Sequence, residues 1–289
     1  MVKTKQVAIQ GIAGAFHEIA AKAYFENDDV DIIPCITFKD VFNTLRKDGS
    51  VYGIIAIENT LAGSLLPNYN LLRESNFSII GEYKLRIKHN LCALPGQKIE
   101  DIREVYSHPM ALMQCEDYLD QYPAMRLIES DDTALSAKNV QSDKMSGAAA
   151  ICSDLAARTY GLNILAESIE TNKKNFTRFL IIGDPWNLSA DFALKEVVNK
   201  SSVVFALPHE EGSLSKVLTI LSFYGINLTK IQSLPVLGRE WEYMFYVDLT
   251  FNDYIRYQQS LEAIKPLTKN MKILGEYKQG KQSHDDFTS

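Results

Sequence analysis

The stretch Asn175-Phe176-Thr177-Arg178-Phe179-Leu180-Ile181-Ile182-Gly183 constrains this chain more than any other. Leu180 to Ile182 is a short apolar run closed by a glycine, the pattern of a buried strand. An amide, a hydroxyl and a guanidinium stand just before it. Polar groups at the mouth of a core strand must be hydrogen-bonded or face a ligand. Side chains alternate along a strand, so Thr177 and Arg178 are expected on opposite faces. These residues alone leave two readings open, because threonine favours strands and one arginine at a sheet rim needs no function.

A repeated grammar of strand, polar corner and helix fills the preceding residues. Val7-Ala8-Ile9 reads as a strand, Gly11-Ile12-Ala13-Gly14 as a turn, and Ala15 to Phe25 as a helix. That geometry aims backbone N–H groups at an anion. The spacing is not a dinucleotide fingerprint, and a tight packing turn explains it equally well. Asp40 to Lys47 reads as a helix and Gly53 to Ile57 as a strand apolar enough for a parallel sheet. Glu58, Asn59 and Thr60 follow it, at the end where open α/β sheets hold ligand groups. Asn59 and Thr60 are also ordinary helix caps. A carboxylate straight after a buried strand, as at Glu58, needs a partner.

Val105-Tyr106 leads into Ser107-His108, then Pro109 and a helix from Ala111 to Leu119. Ser107 reads as its cap, Gln114 as a solvent-facing helix residue, and His108 as structural. Leu127-Ile128 precedes Asp131-Asp132-Thr133-Ala134, where Asp and Thr are N-cap types, and a helix to Val140. Ala148 to Ile151 is a strand of small residues, followed by a helix ending near Tyr160-Gly161. Such repeats indicate an α/β layer architecture. From Ser202 the elements read strand (to Leu207), helix (Leu214 to Tyr224), strand (Ile226 to Ile231), a turn with Pro235 and Gly238, strand (Trp241 to Leu249), helix (Tyr254 to Ile264), strand (Met271 to Tyr277). This βαββαβ order is the ferredoxin-like plan.

Composition sets outer limits. The 289 residues suit one large or two ordinary domains, and 46% hydrophobic with 23% charged is globular. A net charge of -6 argues against general nucleic-acid binding. Cys35, Cys92, Cys115 and Cys152 lie far apart, as free buried thiols would, and no metal-ligand cluster stands out. With no signal peptide and no apolar run of membrane-spanning length, a cytoplasmic protein without membrane contact is expected.

Asn175-x-Thr177-Arg178-Phe179 before an apolar strand resembles the signature of the prephenate dehydratase family. Glu58-Asn59-Thr60-x-x-Gly63, Ser107-His108-Pro109-x-Ala111-Leu112-x-Gln114-Cys115 and Thr133-Ala134 follow that family's order. The similarity runs from Val7 to about Tyr277. It implies a two-lobed, periplasmic-binding-protein-like catalytic region, 1–185, with one lobe from 1–77 and 168–185 and the other from 79–165. A linker (186–200), an ACT regulatory domain on the ferredoxin-like plan (201–277) and a polar tail (278–289) that reads as disordered complete the chain. The chain would cross between lobes twice.

The reaction so implied turns prephenate into phenylpyruvate for phenylalanine synthesis, with no cofactor and no metal. Thr177 would donate a hydrogen bond to the departing hydroxyl, and Glu58, if burial raises its pKa, would supply the proton. Asn59, Thr60, Ser107, Gln114, Thr133, Asn175 and Phe179 would form the pocket. Arg178 would pair with a substrate carboxylate or, as strand alternation favours, brace the site. Gly212-Ser213-Leu214 and Asn227-Leu228 resemble the family's phenylalanine-binding elements, which makes L-phenylalanine the implied effector and a homodimer or homotetramer the implied assembly.

Departures from the family are specific. It usually has serine where His17 stands, glutamine at Met110, serine at Thr60, and Glu-Ser-Arg-Pro where this chain has Gln232-Ser233-Leu234-Pro235. His17 accordingly reads as a helix-surface residue. No all-helical chorismate mutase segment precedes Val7, so a single activity is expected. Arogenate dehydratase and a non-enzymatic two-lobed binding protein are the alternatives, and no residue read from sequence decides between keto and amino substrates.

Overall fold

The computed structural model describes residues 4–26, 28–188, 198–236 and 242–283. The first lobe opens with β1 (Thr4–Gln10), α1 (Phe16–Tyr24), β2 (Asp29–Cys35), α2 (Phe38–Lys47) and β3 (Tyr52–Asn59). A two-residue β4 (Gly63–Ser64), α3 (Leu66–Glu74) and β5 (Ser78–Arg86) follow. The second lobe holds β6 (Asn90–Ala93), β7 (Glu104–Ser107), α4 (Pro109–Gln114), α5 (Glu116–Leu119), β8 (Arg126–Glu129), α6 (Thr133–Ser142), β9 (Ala148–Cys152), α7 (Asp154–Thr159) and β10 (Asn163–Ala166). The chain then returns to the first lobe as β11 (Phe176–Gly183).

The first sheet runs β2-β1-β3-β11-β5, with β11 antiparallel to both neighbours. The second runs β10-β6-β9-β7-β8. Two crossings between lobes are therefore present, as expected. The boundary is not where the sequence put it. Ser78–Arg86, read as the start of the second lobe, is the outer strand beside β11, because that apolar strand needs a ladder partner on each edge. The crossing falls at Ile87–His89, where the Ile87 N–H bonds the Asn175 carbonyl at 2.8 Å.

Local chemistry moves two helix boundaries. Thr37 and Asp40 form a reciprocal capping box, so α2 starts at Phe38 rather than Asp40. The helix expected to run unbroken to Leu119 is interrupted at Cys115. The Gln114 carbonyl accepts from Thr171 N–H at 2.8 Å, on the strap that leads back to β11, and is lost to the helix ladder. Close lobe contact has a residue-level cause at Gly14: a Cβ there would stand 2.6 Å from Ala156 Cα, and its φ is +90°.

The third sheet comprises β12 (Lys200–Leu207), β13 (Asn227–Pro235), β14 (Tyr243–Thr250) and β15 (Lys269–Tyr277), with α8 (Ser213–Phe223) and α9 (Tyr254–Ile264). Its order, β13-β14-β12-β15, is all antiparallel and is the ferredoxin-like arrangement. The strand expected to stop at Ile231 continues to Pro235. Gly238 and Trp241 lie outside the described residues, as do most of the linker and the end of the tail. Val203, Phe205, Val247 and Leu249 pack under the two helices. The opposite face, with Val204, Ala206, Tyr246 and Leu274, packs on the first lobe against Ile57, Tyr69, Leu72 and Leu180. Gly275 permits that approach, since a Cβ would come 2.3 Å from the Ile79 carbonyl oxygen. No helix among the described residues is long and apolar enough to cross a membrane.

Candidate active site

A cavity of about 340 Å³ opens between the two lobes, with Thr177, Phe179 and Asn59 on one wall and Gln114, His108 and Thr133 on the other. Thr177 pairs with Asn59 across the β11–β3 ladder. Asn59 Nδ2 donates to Asn175 Oδ1 at 2.8 Å and to Thr177 Oγ1 at 2.9 Å. Asn59 Oδ1 accepts from the backbone N–H groups of Leu61 and Ala62, each at 2.9 Å. A backbone N–H can only donate, so the orientation of this amide is fixed.

Each later orientation follows from that one. Asn175 Oδ1 is an acceptor, so Asn175 Nδ2 donates, to Gln114 Oε1 at 2.8 Å. The same Gln114 oxygen lies 3.1 Å from His89 Nε2, which must therefore carry the proton. His89 is a neutral imidazole whose buried Nδ1 has no partner among the described residues. Burial lowers its pKa, outweighing the Gln114 bond and the nearby Glu170. Thr177 Oγ1 accepts from Asn59, so its own proton is left for something in the cleft.

The rest of the lining adds two further imidazoles and one carboxylate. His17 meets Phe179 edge-on, centroids 4.9 Å apart, and also touches Phe38. Burial takes its pKa down to about 4, and its Nε2 has no partner among the described residues. The sequence pattern predicts a helix-surface residue at this position. It faces the cavity instead, because α1 packs its Phe16–His17 edge across the mouth of β11. His108 Nδ1 accepts from Met110 N–H at 3.2 Å, capping α4 while the ring lines the cavity. Asp132 caps α6 through Oδ1, 2.9 Å from Leu135 N, and burial pushes its carboxyl up against those backbone bonds. No lysine or arginine is among the described lining residues.

Of the residues expected in the pocket, Thr177, Asn59, Gln114, Thr133 and Phe179 line the cavity, and Asn175 joins it through the amide chain. Four do not reach it. Glu58 lies on the far side of β3, where it pairs with Lys230 at 2.9 Å and Arg178 at 3.8 Å. The β3–β11 register shifts between Arg178 and Phe179, and this bulge fixes which face each polar residue takes. Glu58 is 39% exposed there rather than buried in a substrate pocket. Arg178 points away as well, to Glu82 Oε2 (2.6 Å), Asp248 and the Tyr277 hydroxyl (3.1 Å), so bracing is its observed contact. Ser107 is fully buried and donates to the Ile151 carbonyl at 2.7 Å. Thr60 clasps the returning strap, donating to Lys174 O and accepting from Phe176 N, both at 3.0 Å.

Gly212, Ser213 and Leu214 lie at the start of α8, and Asn227 and Leu228 at the start of the edge strand β13, all outside this cavity. Sequence reading missed His89, and took Asp132 for a cap only. A histidine between two apolar strands gives no sign of an amide partner 25 residues away.

The family model for prephenate dehydratase matches residues 7–186. The chain is 36% identical over 283 residues to arogenate dehydratase/prephenate dehydratase 2 of Arabidopsis thaliana, covering 94% of this chain and 72% of that one. It is 36% identical over 278 residues to the bifunctional chorismate mutase/prephenate dehydratase of Aquifex aeolicus, covering 95% and 74%. The crystal structure of prephenate dehydratase from Arthrobacter aurescens in complex with L-Phe superimposes with a TM-score of 0.84 at 28% identity, covering 95% of this chain and 90% of that one.

Proposed function

The chain belongs to the prephenate dehydratase family, and we propose that it converts prephenate to phenylpyruvate in the interlobe cleft. Prephenate carries a hydroxyl and a carboxylate on opposite ring carbons. The bond from ring carbon to carboxylate breaks and its electron pair moves into the ring. The bond to the hydroxyl breaks at the far side, and that oxygen takes one proton and leaves as water. Carbon dioxide and an aromatic ring are the other products. The chain's task is to hold the dianion and to stabilise charge on the departing oxygen.

Thr177 serves the second need. Its hydroxyl is a poor acid, so it donates a hydrogen bond rather than the proton itself. The amide chain supports this role, because with Asn59 donating to Oγ1 the Thr177 proton has only the cleft to turn to. Gln114 Nε2, which no described residue takes up, and the Thr133 hydroxyl orient the carboxylates. Glu58 supplies no proton in this reading, being tied to Lys230 outside the cleft. The observation that carries the proposal is that four polar side chains from three separate segments — Asn59, Gln114, Asn175 and Thr177 — are bonded into one neutral chain at one cavity. Incubating the purified full chain with prephenate and following phenylpyruvate by mass spectrometry tests it; no product above the uncatalysed rate would refute it.

The division into a catalytic region and an ACT regulatory domain over the ferredoxin-like unit belongs to the same proposal. L-phenylalanine, held in the Arthrobacter aurescens structure, is the proposed effector, with Gly212, Ser213, Leu214, Asn227 and Leu228 as its site and a homodimer or homotetramer as the assembly. Leu234, at the position where the family carries arginine, is buried against the first lobe, so its apolar character has a packing reason. Calorimetric titration with L-phenylalanine checks the effector.

A further inference from the structure

The cleft is electrostatically lopsided for a dianion. Its described lining includes no lysine or arginine and a single carboxylate, Asp132. Two of its three imidazoles are kept neutral by burial. A carboxylate in such a place needs a partner, and the measured capping bond of Asp132 uses Oδ1. Oδ1 holds Leu135 N–H at 2.9 Å, the Ala134 N–H and the His108 ring also face the carboxyl, and Oδ2 lies against the turn that starts α1. A Cβ on Gly11 would stand 3.4 Å from Oδ2 and 3.1 Å from Ala15 Cβ, so glycine keeps the space before that oxygen clear.

The position fits one end of the substrate. Residues two apart on a strand are separated by about 6.8 Å. With Thr177 at the ring hydroxyl, Phe179 and the His17 ring packed on it lie near the opposite ring carbon, which bears the three-carbon side chain. His17 sits on the helix whose opening turn touches Asp132. In prephenate that side chain carries a ketone. In the amino analogue, arogenate, it carries an ammonium, and the net charge is one unit less negative.

Resting on the reading of the cleft given above, we propose that Asp132 is a specificity-determining residue whose Oδ2 accepts a hydrogen bond from the substrate ammonium, so that the enzyme takes the amino substrate as well as the keto one. Burial raises the Asp132 carboxyl, outweighing the Leu135 and Ala134 N–H groups and the nearby His108. A ketone offers this oxygen no donor, so the charge favours the ammonium substrate and repels the dianionic one.

The test is the ratio of kcat/KM for arogenate to that for prephenate, in the wild type and in Asp132→Asn, at pH 8. Asparagine caps a helix about as well as aspartate, so the variant removes charge and keeps α6; Asp132→Ser, also a good cap, is the second variant if the first folds poorly. A charge-assisted hydrogen bond predicts a fall in the ratio of about ten- to hundred-fold, because kcat/KM for arogenate drops by more than that for prephenate. A ratio unchanged within about three-fold, an equal loss on both substrates, or a wild type inert toward arogenate overturns the proposal. Turnover of arogenate alone, with the ratio's numerator collapsing in the variant, upholds Asp132 and refutes the keto assignment. Turnover of neither substrate refutes the family reading, and the role of Asp132 with it.

Discussion

Thr177 and Arg178 are neighbours in sequence and look into different worlds across β11. Thr177 faces a cleft whose polar partners are amides and a neutral imidazole. Arg178 faces the ferredoxin-like unit, in a cluster, buried except at Glu58, where Arg178, Lys200 and Lys230 meet Glu58, Glu82 and Asp248. Lys200 Nζ donates to both Glu82 oxygens at 2.8 and 2.9 Å, and Ser202 and Tyr277 complete the shell. Burial alone would push the Glu82 and Asp248 carboxyls up; Arg178 and Lys200 outweigh it and hold both below the ordinary range. Charge is used where the strand must be fixed, and amides where a hydroxyl must be aimed, the one carboxylate of the described cleft, Asp132, standing on the other lobe. Neutral amides direct a proton without competing for an anionic substrate, whereas a buried ion cluster locks geometry because removing one member strands the others.

Arg178 holds the charged face together more than any other residue of the cluster. Arg178→Met leaves Glu82 and Asp248 facing each other with one cation fewer, and should lower unfolding free energy by about 3–5 kcal/mol. Urea unfolding measures it; a loss below about 1 kcal/mol would mean that the cluster does not fix the strand. Thr177→Val keeps the shape of the side chain and deletes the hydroxyl. It should leave the urea midpoint near wild type and lower kcat about 10²–10³-fold, the usual effect of losing one such donor. A variant that unfolds rather than one that stalls would show that the two faces do not divide their work this way.

Acid separates the two faces by pH range. His17 is neutral in the fold, with a pKa of about 4 against an ordinary value near 6.5. Between those values the unfolded chain binds a proton that the folded chain does not, so stability falls as pH drops through that window. Glu82 and Asp248 have folded pKa values below their unfolded ones. Their contribution is full above about pH 4 and is lost only as pH falls further. Urea midpoints from pH 7 to pH 4 should therefore decline in the wild type and decline less in His17→Gln. Parallel curves would place the early acid sensitivity elsewhere.

The strand β11, the opposite facing of Thr177 and Arg178, and the ferredoxin-like order were legible because period-2 alternation and short apolar runs are local signals. The pairing of Thr177 with Asn59 and the membership of β5 in the first sheet were not, since both depend on contacts about 100 residues apart. Glu58 shows the limit most clearly. A carboxylate at the mouth of a buried strand needs a partner, and it has two, yet only the bulge in β3 decides that these are cations of the far face rather than a substrate. His89 and Asp132 were invisible as site residues because their roles come from one amide oxygen and one missing Cβ.

Glu58 also gives the smallest expected effect and the finest division between the faces. Its side chain is partly exposed, and ion pairs in that setting contribute about 0–1 kcal/mol. Glu58→Gln retains the shape and can still accept from Lys230. Stability should shift by less than about 1 kcal/mol, with kcat and its pH profile close to wild type. A fall in kcat comparable to that of Thr177→Val, with the acidic limb of the profile removed, would make Glu58 the proton source after all. It would then have to reach the cleft through a rotation of the β3 end that frees it from Lys230, and the charged face of β11 would take part in the chemistry rather than only in holding the strand.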